Sequence, residues 1–228
     1  MGVGVAWGRV PQPAAAGAAP RLYVFVPAVE RPRAVGEILS EGLSGVAVTA
    51  FGRFADFSAA VASEKPEGAL ALADTLQVMG IQPALQGSAA GSTREPYVLL
   101  AKDPADTIES LSKKVIGAVD VVGRAALPLL VQRVLGVGGL PNVRRVLNVG
   151  DLLALLHLDL APAVLLPERF QGELKKQSRL ELRTLRPVTQ LGRVALGYPS
   201  GRAERALASA LRHASASTQS LLGTETWQ

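Results

Sequence analysis

From Arg21 onward, short unbroken apolar runs alternate with segments whose apolar residues recur every three or four positions. RLYVFVPAV (21–29) is the first run, and its continuous β-branched and aromatic character predicts a strand buried on both faces. RPRAVGEILSEGL (31–43) follows, with Val35, Ile38, Leu39 and Leu43 on one helical stripe and Pro32 where a first helical turn accepts it. GVAVTAFG (45–52) predicts a second strand, FADFSAAVASE (54–64) a second amphipathic helix, and GALALA (68–73) a third strand. DTLQVMG (74–80) is a short helix that Asp74 can cap, and PALQGSA (83–89) a further strand.

The alternation is interrupted by GSAAGSTREP (87–96), where Gly, Ser, Thr and Pro cluster as they do in loops. It then resumes. YVLLAKD (97–103), VIGAVD (115–120), NVRRVLNV (142–149) and AVLLP (163–167) predict strands. DTIESLSKK (106–114, capped by Asp106), GRAALPLLVQRVLG (123–136), DLLALLHLDL (151–160, capped by Asp151) and ERFQGELKKQ (168–177) predict the helices between them. LELRTLRPV (180–188) alternates like an edge strand, GRVALGYP (192–199) is a last strand, and RAERALASALRHA (202–214) a last helix.

Strands alternating with helices imply largely parallel sheets with both faces covered. Because the pattern occurs twice, the expectation is two α/β lobes. Residues 21–96 with 190–214 form lobe one, and residues 97–189 the crossing strand and lobe two. The chain crosses near 90–103 and again near 187–193, and residues 215–228 form a polar, frayed tail.

Composition narrows the chemistry. Hydrophobic residues make up 48% of the 228 positions but aromatics only 4%, so the core must rest on Ala, Val and Leu. The net charge of +5 is spread over scattered Lys and Arg without interleaved aromatics, which argues against nucleic acid as a partner. The absence of cysteine excludes disulfides, thiolate metal sites and a cysteine nucleophile. Residues Met1–Pro20 are short, apolar and Ala-rich, and read as a signal-peptide remnant or an Ala/Pro leader. No run of about 18 apolar residues is present to span a membrane.

Catalytic signatures are missing. His157 and His213 are the only histidines, and their spacing is not that of a zinc site. Ser110 and Lys113 form S-x-x-K without its companion motifs and read as a solvated helix turn. No G-x-S-x-G, P-loop or G-x-G-x-x-G occurs, and GVGGLP (136–141) reads as a helix stop. The expectation is a monomer that is not an enzyme and carries no cofactor or metal. Lys175, Lys176, Arg179, Arg183 and Arg186 form a basic run, read as a solvated face or as a docking patch for an acidic partner.

The order of segments resembles a known architecture. YVLLAKDPADTIESLSKKVIGAVD, DLLALLHLDLAPAVLLPERF and GRVALGYPSGRAERALASALR are similar to the crossing strand, the lobe-two helix–strand unit and the return crossing of type II periplasmic solute-binding proteins of ABC transporters. The resemblance covers residues 21–214 and is nearest the phosphate/phosphonate-type branch. It implies a periplasmic domain that closes two lobes on a small-molecule ligand and hands it to an ABC permease or another envelope protein. One departure stands out. Where that branch uses hydroxyl-rich turns for its anion, the turn after Asp120 reads VVGRAAL.

Ligands of open α/β sheets sit beyond the strand C-termini. Those loops nominate Val29, Arg53, Asp74, Gly123, Arg124 and Glu168, with Tyr97 at the crossing. Arg53 and Arg124 can fork onto a carboxylate or phosphate, and Gly123 admits close backbone approach. Two functions fit: capture of a small polar or anionic ligand, and a degenerate binding-protein fold serving as an envelope scaffold or interaction module. An open polar cleft would favour the first, a collapsed apolar seam the second.

Overall fold

The structure is a computed structural model and describes residues 19–28, 30–186, 189–202 and 204–228. Lobe one opens with β1 (Arg21–Phe25), α1 (Pro32–Gly42), β2 (Ala47–Ala50), α2 (Phe54–Glu64), β3 (Gly68–Leu72), α3 (Ala73–Val78) and β4 (Pro83–Ser88). A two-residue β5 (Arg94–Glu95) leads to lobe two: β6 (Tyr97–Ala101), α4 (Ile108–Leu111), β7 (Val115–Val119), α5 (Leu127–Leu135), β8 (Asn142–Val146), α6 (Leu152–His157) and β9 (Ala163–Pro167). A 3-10 turn (Glu168–Phe170), α7 (Gln171–Gln177) and β10 (Arg183–Leu185) complete it. The chain returns through β11 (Leu191–Gly192) to β12 (Val194–Gly197), α8 (Arg205–Arg212), α9 (Ala216–Leu222) and β13 (Thr226–Trp227).

Two sheets result, ordered β13-β4-β12-β3-β1-β2 and β10-β6-β9-β7-β8, and helices flank them. Both are mixed. The parallel pairs are β1 with β2 and β3, and β7 with β8 and β9. The strands made by the crossings, β6 and β12, run antiparallel to their neighbours because the chain enters each lobe from the other. That geometry limits the expected parallel order to three strands per lobe. β5 and β11 pair with each other between the lobes, Leu191 opposite Glu95, and form a small ribbon that two-residue strands gave no sequence pattern to reveal.

Every residue of β3, β6 and β9 is buried, as continuous apolar runs require. The scarce aromatics are not spread through this core. Phe25, Phe51, Phe54 and Phe57, four of the chain's five phenylalanines, pack together with Tyr23 under the lobe-one face of the cleft.

Several expectations need correction. The C-terminal segment is not a frayed tail: Ser215 caps α9, Trp227 is buried, and β13 adds to the edge of the lobe-one sheet against β4. Asp74 lies inside the first turn of α3 rather than capping it, and Asp151 makes no side-chain cap to α6. Asp106 is buried against Lys114, while Thr107 caps α4 in a reciprocal box with Ser110. The helix expected from Gly123 begins only at Leu127, where Pro128 fits the first turn.

Candidate functional site

The lobes face each other across the C-terminal ends of β1, β2, β3, β7 and β8. The middle of this cleft is shut. Gly123 holds a φ of +86°, a conformation that L side chains resist, and a Cβ there would lie 2.8 Å from the Phe54 ring. Glycine thus lets Phe54, the first residue of α2, lie directly on the lobe-two turn. Beside it, the buried Thr75 hydroxyl donates to Val121 O at 2.7 Å, and Val149 N donates to Ala28 O at 3.0 Å. Pro27 and Leu191 meet Tyr97, Val121, Leu127 and Leu165 around a void of about 10 Å³, too small for a ligand and marginal for one water.

Charged groups clasp this seam at its margins. Arg133 on α5 pairs with Asp74 on α3, whose other carboxylate oxygen accepts Gly192 N at 2.7 Å. At the ribbon between the lobes the Glu95 side chain is 4% exposed and pairs with Arg169 from lobe two, with Arg193 3.7 Å away. Arg193 also donates to Gly223 O at 2.8 Å, tying the C-terminal segment to the return crossing. Burial first, and the Glu95 carboxylate second, push the Tyr97 phenol far above its ordinary pKa, so it stays neutral.

The flanks are open. Beyond β1 and β2 lies a cavity of about 380 Å³ with walls from both lobes: Val26, Ala28 and the starts of α1 and α2 on one side, Leu147 and Asn148 on the other. Gly52 brings the two helix starts together, since a Cβ there would sit 2.6 Å from Pro32 Cγ. Arg31 and Arg53 are the N-cap residues of these two helices, and neither helix has a side-chain cap. Both arginines line the cavity, together with Glu30 and Asp56, and neither has an acidic partner among the described residues. Unpaired guanidinium groups and first-turn N–H groups offer donors to a carboxylate or phosphate. On the opposite flank, α3 and α5 enclose a second cavity of about 360 Å³, with Val78 and Leu129 on its walls.

The nominated residues therefore divide. Arg53 lines the open cavity. Tyr97 and Gly123 belong to the shut seam, and Asp74 both to its clasp and to the wall of the second flank cavity. Glu168 pairs with exposed Arg186 at 2.7 Å beside the ribbon between the lobes, next to a shallow hollow that it lines with Glu95 and Arg193. Arg124 is exposed in the turn before α5 and lines neither flank cavity; Asp120 is braced by Arg145 instead, at 2.6 Å, while accepting Gly123 N at 2.7 Å. Val29 lies outside the described residues. Sequence reading missed Arg31, Phe54, Thr75 and the Glu95–Arg169–Arg193 cluster. Partners 74 and 98 positions apart leave no local pattern, and Phe54 looked like one more apolar helix position. Among the described residues no three metal-ligating side chains gather, and no helix is long and apolar enough to cross a membrane.

No protein-family model and no curated relative matches the sequence. Solved structures do match in fold. The periplasmic VFT2 domain of BvgS from Bordetella pertussis, as a double mutant, aligns with a TM-score of 0.56 at 18% identity, covering 90% of this chain and 91% of that one. The GluR0 ligand-binding core in complex with L-glutamate gives 0.55 at 12% identity, over 91% and 94% of the two chains. The amino-acid ABC transporter substrate-binding protein AbpA from Streptococcus pneumoniae, bound to L-arginine, gives 0.55 at 14% identity over 84% and 85%. The chain shares the two-lobed fold of these domains.

Proposed function

We propose that the chain is an exported solute-binding domain that takes a small anionic or zwitterionic ligand into the cavity beside β1 and β2, for delivery to an ABC permease. The observation that carries this reading is that both lobes wall the 380 Å³ cavity, so an occupant there would touch both lobes at once in their closed arrangement. Arg31 and Arg53 supply charge where the turn after Asp120 lacks hydroxyls. The neighbours in complex with L-glutamate and L-arginine make amino acids the first probes, and the resemblance to the phosphate/phosphonate-type branch makes inorganic phosphate the second.

Thermal shift with L-glutamate, L-arginine and inorganic phosphate tests it on the wild type and on Arg53→Ala. One probe should raise the melting temperature of the wild type, and at the same concentration should raise that of Arg53→Ala clearly less. An undiminished shift in Arg53→Ala, or no shift with any probe, counts against the flank site.

The shut seam favours a second reading, a binding-protein fold that has lost its ligand and serves as an interaction module in the envelope. Phe54 on Gly123 and the Thr75–Val121 bond occupy the ground between the strand ends that a bound molecule would need. Under this reading no small molecule shifts the melting temperature and the lobes stay closed.

A further inference from the structure

The rim of lobe two remote from the cleft gathers features that neither reading uses. β6 leaves the sheet at Ala101 opposite Ala163, where β9 enters, and β7 enters beside it, with Ile116 opposite Ala163. α6 and α7 end at the same rim, His157 Nε2 lying 3.5 Å from Ser178 Oγ. Just past these helix ends, Leu158, Leu160 and Leu180 are 66%, 41% and 36% exposed. Large apolar side chains so exposed and so close together mark contact surfaces.

Cations surround the leucines. Lys175 and Lys176 occupy the last turn of α7, Arg179 follows one residue after Ser178, and none of the three has an acidic partner among the described residues. Lys102 pairs with Asp159, the acid between Leu158 and Leu160, so these two charges offset each other. Asp103 accepts Ala105 N at 2.8 Å, Glu173 in the first turn of α7 accepts Gln177 Nε2 at 3.1 Å, and Glu181 is the one acid of the 178–182 loop. Arg183 is used inside the fold, donating to Pro104 O.

We propose that this rim docks the domain onto an anionic phospholipid surface. Leucines on separate loops can each enter a headgroup layer without a matching groove, and long lysine and arginine stems keep their charges at the phosphates. The rim lies at the other end of the lobe-two strands from the open cavity, so docking leaves that cavity accessible.

The test is co-sedimentation of the whole chain with vesicles of phosphatidylcholine alone and with about one third phosphatidylglycerol. The wild type should bind the acidic vesicles about tenfold or more tightly and release as salt rises. The triple change Lys175→Glu, Lys176→Glu, Arg179→Glu should abolish binding. Leu158→Ser with Leu180→Ser should weaken it about tenfold, because apolar insertion adds to charge attraction. Circular dichroism and melting temperature check that these changes, all exposed except half-buried Lys175, leave the fold intact. Equal affinity for both vesicles, or binding unaffected by either set of changes, overturns the proposal. So does binding to polyglutamate but not to vesicles, which would assign the rim to an acidic polypeptide.

Discussion

The centre of the cleft and its β1–β2 flank lie side by side at the ends of the same sheets, yet they are built from opposite materials. At the centre, apolar groups and one buried hydroxyl lock the lobes: Phe54 on Gly123, Pro27 against Tyr97, Thr75 on Val121. At the flank, two arginines, two acids and two uncapped helix starts face a cavity of about 380 Å³. The difference separates two tasks that a cleft could combine. Contacts within the chain account for closure, and the flank is left to account for recognition. If that division is right, changes at the centre act on stability and lobe position, and changes at the flank act on ligand alone.

The largest effect should come from Gly123→Ala. The left-handed φ of +86° strains any L residue, and the new Cβ would meet the Phe54 ring. Strain and overpacking together should cost about 2–4 kcal/mol in urea unfolding. A loss under about 0.5 kcal/mol, the range of an ordinary surface change, would show that the seam is not tightly closed.

Phe54→Ala comes next. Phe54 is only partly buried, so the loss should be about 2 kcal/mol rather than the larger cost of a core phenylalanine. The lobes should also loosen, read as a larger radius of gyration. An unchanged radius would mean that Thr75 and the ion pairs hold closure without it.

Arg133→Met removes the clasp from Asp74, whose side chain is 13% exposed. The expected loss is about 1–2 kcal/mol, since Gly192 N still satisfies one carboxylate oxygen. Lys114→Met is the control away from the cleft. Its ammonium, hydrogen-bonded to buried Asp106, holds that carboxyl below its ordinary pKa. The contribution is present above the unfolded value near 3.8 and is lost as pH falls through the depressed folded one. The variant should therefore lose about 1–2 kcal/mol at neutral pH, flatten the acid limb of the stability curve, and leave lobe position alone.

Much of this architecture is legible in the sequence because burial on both faces writes itself as unbroken apolar runs. GALAL, YVLLA and AVLLP are β3, β6 and β9, each wholly buried. The two-lobe division follows from the repeat of the pattern around the Gly- and Ser-rich stretch. The site was less legible. Arg53 could be named because it follows a strand and precedes a helix. Asp74 stood in the right loop, but its partners Arg133 and Gly192 are 59 and 118 residues away, and only folding shows that it serves closure. Arg124 met the same local rule as Arg53 and yet lies outside both flank cavities, in the turn before α5, which begins only at Leu127.

The smallest effect on stability is expected at the flank. Arg53→Ala should change the melting temperature of the free protein by no more than a surface substitution, within about 0.5 kcal/mol. It should weaken binding of whichever probe shifts the wild type about tenfold or more, as loss of a charged hydrogen bond would. A large loss of stability would place Arg53 in the scaffold instead.

The central claim is that the lobes close without ligand, and distance measurement tests it most directly. The chain has no cysteine, so Glu41→Cys in α1 and Glu109→Cys in α4 would carry the only two spin labels, one per lobe. Pulsed electron resonance on the ligand-free protein should give one narrow distance, unchanged by adding L-glutamate, L-arginine or phosphate and broadened by Phe54→Ala. A broad or long distance in the wild type that narrows only when a probe is added would contradict self-closure and return recognition to the centre of the cleft.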